Sequence, residues 1–576
     1  MKILIADIEA DALLPDLSKC HCFGVKEFGK NEVNPRRTIF ADRAGYRPIS
    51  EALERIAGAD LIVMHNGIGY DAPAILQLYG TDAIRPGKIY DTLVASRFKN
   101  PTQRAHSLGY LGEQIGYEKG DFSDFTKFTD EMADYCHRDL EVTEKVFEQL
   151  WTGEISDALA LEFRFARVMA LQEQHGFRLD VSKAQALESE LRQEQLDIER
   201  SLQSVWLPKT IERVSEKTGR KLKDKIEVFN PSSRKQIGER LTEQYGWKPK
   251  DYTPSGQPKI DETVLDRLKY DEATQLSRYL RLQKLLGQLS DGNAGWLKME
   301  RNGYVHGSVK TIGTATHRCS HFGPNMGQVD RRDLRMREVW LPDPGQVLVG
   351  CDADALELVC LAHYLGRYDD GAYQDALLNG SKDDGTDVHS RTQKLLELPT
   401  RDQAKTAQYA YLYGCSDRKL AQISREAGGP VKNGKEIRRR MNEGINGLGK
   451  LSAAIQKRAD VGYFKAIDGR RIDIKSPHSA LNYLLQSTGA IVMKKAVDVF
   501  HYDLATAAGF VRAESTANYS YVANVHDEVQ LSVDPEYADQ VGQMFADAIR
   551  LAAERLNMRC PLSGTYAIGS NWKDTH

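Results

Sequence analysis

Apolar residues run from Lys2 to Glu9 and again from Leu61 to His65, and each run predicts a strand. Later segments up to residue 150 follow a helical spacing, so residues 1–150 read as alternating strands and helices. Residues 155–205, rich in Glu, Gln, Leu and Arg, carry a long helical periodicity. Residues 207–260 are basic and broken by Pro and Gly, which predicts a flexible or loop-rich segment. Strands return from Tyr304, and helices are expected at 355–366, 387–397 and 401–414. Tyr521 to Val533 reads strand–turn–strand. There is no internal repeat and no low-complexity tail.

At 576 residues the chain is too long for a single core. Its 41% hydrophobic and 28% charged content fits a soluble globular protein. No apolar run approaches the roughly 20 residues of a membrane helix, and Asp7 and Glu9 interrupt the opening run, so a signal peptide is not expected. Eight cysteines include no CxxC pair. Cys20 and Cys22 flank His21, but the spacing suits no common zinc module, so buried strand cysteines and a reducing cytoplasm are expected. The net charge of −3 does not announce nucleic-acid binding. Two basic stretches, Lys209 to Lys225 and Lys432 to Arg440, read either as solvated faces or as DNA contacts.

Asp7 and Glu9 lie two apart on a strand and therefore share a face. The segment HNGIGYD, His65 to Asp71, follows the second strand and leads into a helix over Ala74 to Leu78. Tyr135 and Asp139 lie four apart on a helix. Asp7, Glu9, Asp71 and Asp139 can together hold two divalent metals around a scissile phosphate, with Tyr135 orienting a water. In order, the three segments resemble the motifs of DEDD-type 3′-to-5′ exonucleases, and with Tyr135 the DEDDy branch.

A second carboxylate set is more widely spread. An apolar strand delivers Asp352, and His526, Asp527 and Glu528 sit at the bend between two apolar strands. Asp352 and Asp527 suit bridging of two Mg²⁺ ions that would activate a primer hydroxyl and neutralise a triphosphate. Between them Arg401, Lys405, Tyr409 and Tyr413 recur every four residues, forming a slowly winding helical stripe. Two cations followed by two aromatics suit a ligand with phosphates at one end and a base at the other; a solvated charged face edged by tyrosines fits equally well.

These segments resemble family A, or Pol I-like, DNA polymerases, and most strongly the replicative polymerases of T-seven-like phages. The likeness rests on DIEA at 7–10, HNG at 65–67, FNPSS at 229–233, ALELVCLAH after Asp352, LPTRDQAK at 398–405, KSPHSALNYLLQSTGA at 475–490 and VHDEVQ at 525–530. It extends to Asn571-Trp572 and His576 and spans essentially the whole chain. It implies an α/β multidomain fold. A ribonuclease H-like 3′-5′ exonuclease domain (1–150) would precede a right-hand polymerase. In the latter, 151–300 would form a helical linker and thumb, 301–385 and 476–576 a palm with an antiparallel sheet, and 386–475 helical fingers.

The resemblance further implies that Asp352, Asp527 and the Ala353 carbonyl hold the polymerase metals, two Mg²⁺ per active site, with Glu528 supporting them. His389, Arg401 and Lys405 would face the triphosphate, Tyr409 would pack on its sugar and base, and Glu357 would exclude a 2′-hydroxyl. Tyr at 409 goes, in this family, with acceptance of dideoxynucleotides. Tyr413 would lie at the template–primer junction, and Arg318, Gln486 and His526 would contact the minor groove or primer end; Asn482 shares the face of Gln486, or serves the core or a cap. Primer–template DNA and dNTPs are the implied partners, with a phage primase–helicase and single-stranded DNA-binding protein in the cytoplasm of a bacterial host.

Three departures stand out. The family's Thr-Gly-Arg is Thr316-His317-Arg318 here, and Val359 replaces a basic residue. Between about 205 and 228, where the best-known phage relative carries a long thioredoxin-binding insertion, this chain has a short basic segment. Thioredoxin dependence is therefore not expected; direct contact of Lys209 to Lys225 with duplex phosphates is.

Alternatives are a repair nuclease with a degenerate polymerase half, a non-catalytic DNA-binding replisome subunit, and a cellular repair polymerase. Retention of Asp352, Lys405 and Asp527 disfavours the first, and two complete carboxylate sets the second. The lack of an upstream 5′-nuclease domain and the phage-like carboxy terminus disfavour the third.

Overall fold

The opening apolar run forms the strand Ile3–Ala10 at the centre of a five-stranded sheet. It pairs antiparallel with Cys20–Glu27 and parallel with Leu61–Met64, and Ile39–Phe40 and Ile89–Asp91 close the edges. A central strand is covered on both faces, which is why it reads as a nearly continuous apolar run and why its two acids are conspicuous. The computed structural model describes residues 1–575 except 33, 82, 85, 216, 513, 514 and 517; His576 lies outside the described residues.

The helix Asp130–Leu150, capped by the Thr129 hydroxyl, packs on the strands Ile3–Ala10 and Cys20–Glu27. Gly24 permits the approach, since a Cβ there would meet Cys136 Sγ at 2.9 Å. Cys20 and Cys22 are buried strand residues and all eight cysteines are free. His21 Nε2 donates to the Phe125 carbonyl at 2.8 Å, so the Cys-His-Cys triplet is structural.

The long periodic stretch 155–205 is not one helix. It divides into Asp157–His175, a strand Phe177–Leu179 and Val181–Val205. Gly176 at φ 80° ends the first helix, and Asp180 caps the second through the Lys183 amide. The stretch 207–260, expected to be loop-rich, holds a hairpin, Lys209–Val214 with Lys221–Glu227, and a helix Arg234–Tyr245. Lys and Glu alternating with Ile, Leu and Val support the hairpin, while Ile237 and Leu241 anchor the helix in a small core with Trp206, Phe229 and Trp247. This core tips an arm made by Val181–Val205 and Asp271–Leu286.

The carboxyl-terminal part is built on an antiparallel sheet ordered Tyr519–Val525, Glu528–Val533, Val347–Ala353, Gly564–Gly569. Helices Leu356–Leu365, Ala480–Asp498 and Ala538–Arg555 share its core. Val359 is 3% exposed in that core, so a basic side chain has no place there. Helices Val388–Leu396, Arg401–Leu412, Asp417–Glu426 and Gly434–Gly444 form a block beside it. The Arg438-Arg439-Arg440 run is committed within this block. Arg438 pairs with Asp417 at 2.7 Å, Arg439 with Glu436 at 2.8 Å and Arg440 with Glu397 at 2.6 Å. Of the two basic stretches, this one spends its three arginines on ion pairs at the surface of the block, while Lys432 and Lys435 are exposed.

Candidate active sites

The first site forms where the helix Asp130–Leu150 crosses the strand Ile3–Ala10. Asp7 and Glu9 face the helix, and Asp139 faces them from it. Asp71, in the first turn of Asp71–Tyr79, accepts the Ile8 amide at 3.2 Å. Ligand atoms of Asp7, Glu9 and Cys136 lie within 4.8 Å of one another. Burial, then the charges of Glu9, Asp71 and Asp139, hold Asp7 well above the usual carboxylate range. Burial and Asp139 push Glu9 up to about 8, and burial raises Asp71 to about 7. Such a set calls for positive charge. Lys119 supplies some, its Nζ 2.6 Å from Asp139 Oδ2, while the buried Asp139 Oδ1 has no hydrogen-bond partner. Clustered carboxylate oxygens with an orphaned acceptor fit a hard divalent cation. The Cys136 thiol is raised by its hydrogen bond with Cys22 and by burial, stays protonated, and serves as packing.

Tyr135 lies one turn before Asp139, with Phe122 and Phe125 at ring distances of 5.4 and 6.2 Å. Lys119 Nζ sits 4.7 Å over its ring, and burial raises the phenol to about 12. It is a neutral hydroxyl at ordinary pH. The HNG loop is shaped by Asn66 at φ 67° and braced by Asp91. The buried Asp91 carboxylate accepts the amides of Asn66, Ile68, Leu93 and Val94 at 2.9–3.2 Å.

The second site is at the end of the antiparallel sheet. Asp352 is in register with Glu528, and the Ala353 amide donates to the Asp527 carbonyl at 3.2 Å, so residues far apart in sequence meet through the ladder. His526, at φ 62°, makes the tight bend that presents Asp527. Burial and the Glu357 carboxylate raise Asp527. Glu528 is turned inward. Its Oε1 accepts the Trp572 indole N–H and the Gln530 amide, and Arg337 stands 3.6 Å from Oε2.

The helix Arg401–Leu412 begins with a Thr400–Gln403 capping box and carries the four-residue stripe; Tyr413 is its C-cap. Tyr409 and Tyr413 rings lie 6.2 Å apart, and His389 stands 6.2 Å from Tyr409. His389 Nδ1 is 2.8 Å from Gln408 Oε1, so the ring donates from that nitrogen. Arg401 bonds Asp387, while Lys405 is exposed. The Tyr413 hydroxyl donates to Glu357 at 2.8 Å. Arg318, Glu357, Gln486 and His526 line one cleft beside Asp527. Asn482 shares the helix Ala480–Asp498 with Gln486, its Oδ1 buried without a partner.

A sequence profile of DNA polymerase family A matches residues 202–574. The chain belongs to this family. The DNA-directed DNA polymerases of Enterobacteria phage T3 and Escherichia phage T7 are each 29% identical to it, over the full length of both chains. Those alignments run over 720 positions against the 576 residues here, so these relatives carry segments this family member lacks. A solved structure titled as the POL domain of Pol1 from M. smegmatis, in complex with DNA primer-template and dNTP, superposes with a TM-score of 0.74 at 17% identity. It covers 99% of this chain and 96% of its own; that likeness is one of fold.

Sequence reasoning missed Lys119, Asp91, Arg337 and the Trp572 contact with Glu528. Asp91 had a visible signal, an N-cap acid after an apolar pair. Lys119 had none, because it reaches Asp139 from a stretch without regular structure.

Proposed function

We propose that this family A polymerase extends a DNA primer on a template at Asp352 and Asp527 and removes misplaced nucleotides at Asp7, Glu9, Asp71 and Asp139. The observation that carries this reading is the meeting of Asp352 and Asp527 at one sheet end, beside a helix that lines up Arg401, Lys405 and Tyr409. Residues 1–150 then serve as a ribonuclease H-like exonuclease domain and 151–300 as linker and thumb. Residues 301–385 and 476–576 form the palm, and 386–475 the fingers.

In synthesis the primer 3′ oxygen attacks the α-phosphorus and the bond to the leaving diphosphate breaks. Asp352, Asp527 and the Ala353 carbonyl would hold divalent ions, generally Mg²⁺ and two per site, which supply charge neutralisation and a more acidic hydroxyl. Lys405 and Arg401 neutralise the phosphates, and His389 adds a donor. Tyr409 packs on sugar and base, and its hydroxyl would replace the missing 3′-hydroxyl of a dideoxynucleotide in a polar contact. Glu357, held by the Tyr413 hydroxyl, blocks a 2′-hydroxyl. Arg318, Gln486 and His526 test the primer end through minor-groove acceptors common to every correct pair. Glu528 is a positioning residue, since its carboxylate is occupied by Trp572, Gln530 and Arg337. In excision Tyr135 orients the attacking water.

Primer–template DNA and dNTPs are the partners. A replicative phage role would add a primase–helicase and a single-stranded DNA-binding protein, in the bacterial host cytoplasm. Among the described residues no helix is long and apolar enough to cross a membrane. The test is templated primer extension with Mg²⁺. Asp352→Ala should lower the rate by about a thousandfold or more; extension by Asp352→Ala at the wild-type rate would end the proposal.

A further inference from the structure

Thr314 to Arg318 is a tight turn with an unusual residue in it. His317 sits at φ 59°, a left-handed backbone that favours glycine, and is only 1% exposed. A strained backbone and a buried imidazole persist together only where the surroundings fix them. Here they do. Arg470 Nη1 donates to His317 Nδ1 at 3.2 Å, and Lys494 Nζ donates to the His317 carbonyl at 2.9 Å. The ring stands edge-on to Phe98 at 5.7 Å.

These partners come from distant parts of the chain. Phe98 belongs to the helix Thr92–Lys99 of the amino-terminal unit, Arg470 to the loop before the strand Arg471–Asp473, and Lys494 to the helix Ala480–Asp498 that carries Gln486. Arg470 and Lys494 both bond Glu162, itself fully buried, and Arg470 also bonds Asp468 at 2.7 Å. Two cations and two carboxylates balance one another, and burial, with Arg470 and Lys494 beside it, holds the imidazole well below its ordinary range, so the ring is neutral and acts through shape and one accepted hydrogen bond. The turn is fixed on its other side as well. The Arg318 amide donates to Thr314 Oγ1 at 3.1 Å, and Thr316 Oγ1 donates to Gln486 Oε1 at 3.3 Å. Arg318 leaves this turn into the cleft it shares with His526 and Glu357.

We propose that His317 is a positioning residue for the primer end. Seated between Phe98 of the amino-terminal unit and Arg470, it aims Arg318 into the synthesis cleft and so sets how firmly a primer is held there rather than released for excision. The inference rests on the reading of Arg318 as a primer-end contact.

The experiment measures KM for primer–template and kcat for single-nucleotide incorporation, with shortening of a single-stranded oligonucleotide as control. The variants are His317→Gly, His317→Asn and Arg318→Ala. Glycine relieves the backbone and deletes the ring; asparagine tolerates the left-handed conformation and guards against a glycine variant that fails to fold. Both His317 variants should raise primer–template KM about tenfold with kcat within about twofold. Excision on a paired primer should gain on extension, and single-strand shortening should stay at the wild-type rate. A KM unchanged in both His317 variants overturns the inference. If Arg318→Ala raises KM in that experiment, the Arg318 reading stands and only the role of His317 falls. If Arg318→Ala leaves KM unchanged, both fall. Equal loss of both activities would mark His317 as merely structural and would also overturn the inference.

Discussion

Glu9 and Asp71 show how an individual residue carries this account. Their folded-state values, about 8 and about 7, lie above those of exposed carboxyls, chiefly through burial. A carboxyl that binds its proton more tightly when folded contributes stability that is full below its unfolded value and is lost as pH rises through the folded one. Without divalent ions the protein should therefore lose stability between about pH 4 and 8 from this cluster. Thermal unfolding in chelator across that range checks it: the decline should shrink in Glu9→Gln and when Mg²⁺ is restored, and a slope indifferent to both would contradict the cluster's role. Trp572 offers a second check at this scale. Trp572→Phe removes an indole donor from buried Glu528 and should cost about 1–3 kcal/mol, measured by denaturant unfolding. Primer extension should slow while single-strand shortening is spared; unchanged stability and extension would show the contact to be idle.

At the scale of elements, the hairpin Lys209–Val214 with Lys221–Glu227 is exposed along nearly its whole length. Lys209, Lys221 and Lys225 are paired with acids, while Lys217, Arg220 and Lys223 are exposed. Replacing those three by Gln should weaken duplex binding and reduce the slope of log affinity against log salt by about 2–3. Binding measured from low to moderate salt decides it, and an unaltered slope would remove the hairpin from the DNA path. The contrast with Arg438 to Arg440 is instructive. Both stretches read as basic in sequence, but only the fold shows that one is spent on Asp417, Glu436 and Glu397. Elements whose period and caps agree were legible: the strand under Asp7 and Glu9, the helix under Tyr135 and Asp139, and the capped helix Arg401–Leu412. The break at Gly176 was not, because both flanking helices keep the same spacing. The hairpin was hidden because Gly and Pro nearby outweighed its short alternation. Lys119 was invisible because its contact with Asp139 is tertiary.

Over the whole molecule, two carboxylate centres sit in separate cores, one around Ile3–Ala10 and one around Val347–Ala353. The buried cluster of Glu162, Arg470 and Lys494 ties the long helix Asp157–His175 to the carboxyl-terminal part. Separate cores with separate acids mean separable chemistries. The most direct test follows one labelled, mispaired primer–template with Mg²⁺ and dNTPs and measures shortening and extension together. Asp352→Ala should shorten the primer and fail to extend it, whereas Glu9→Ala should extend it and fail to shorten it. Loss of both activities from either single change, or extension surviving in Asp352→Ala, would contradict the account.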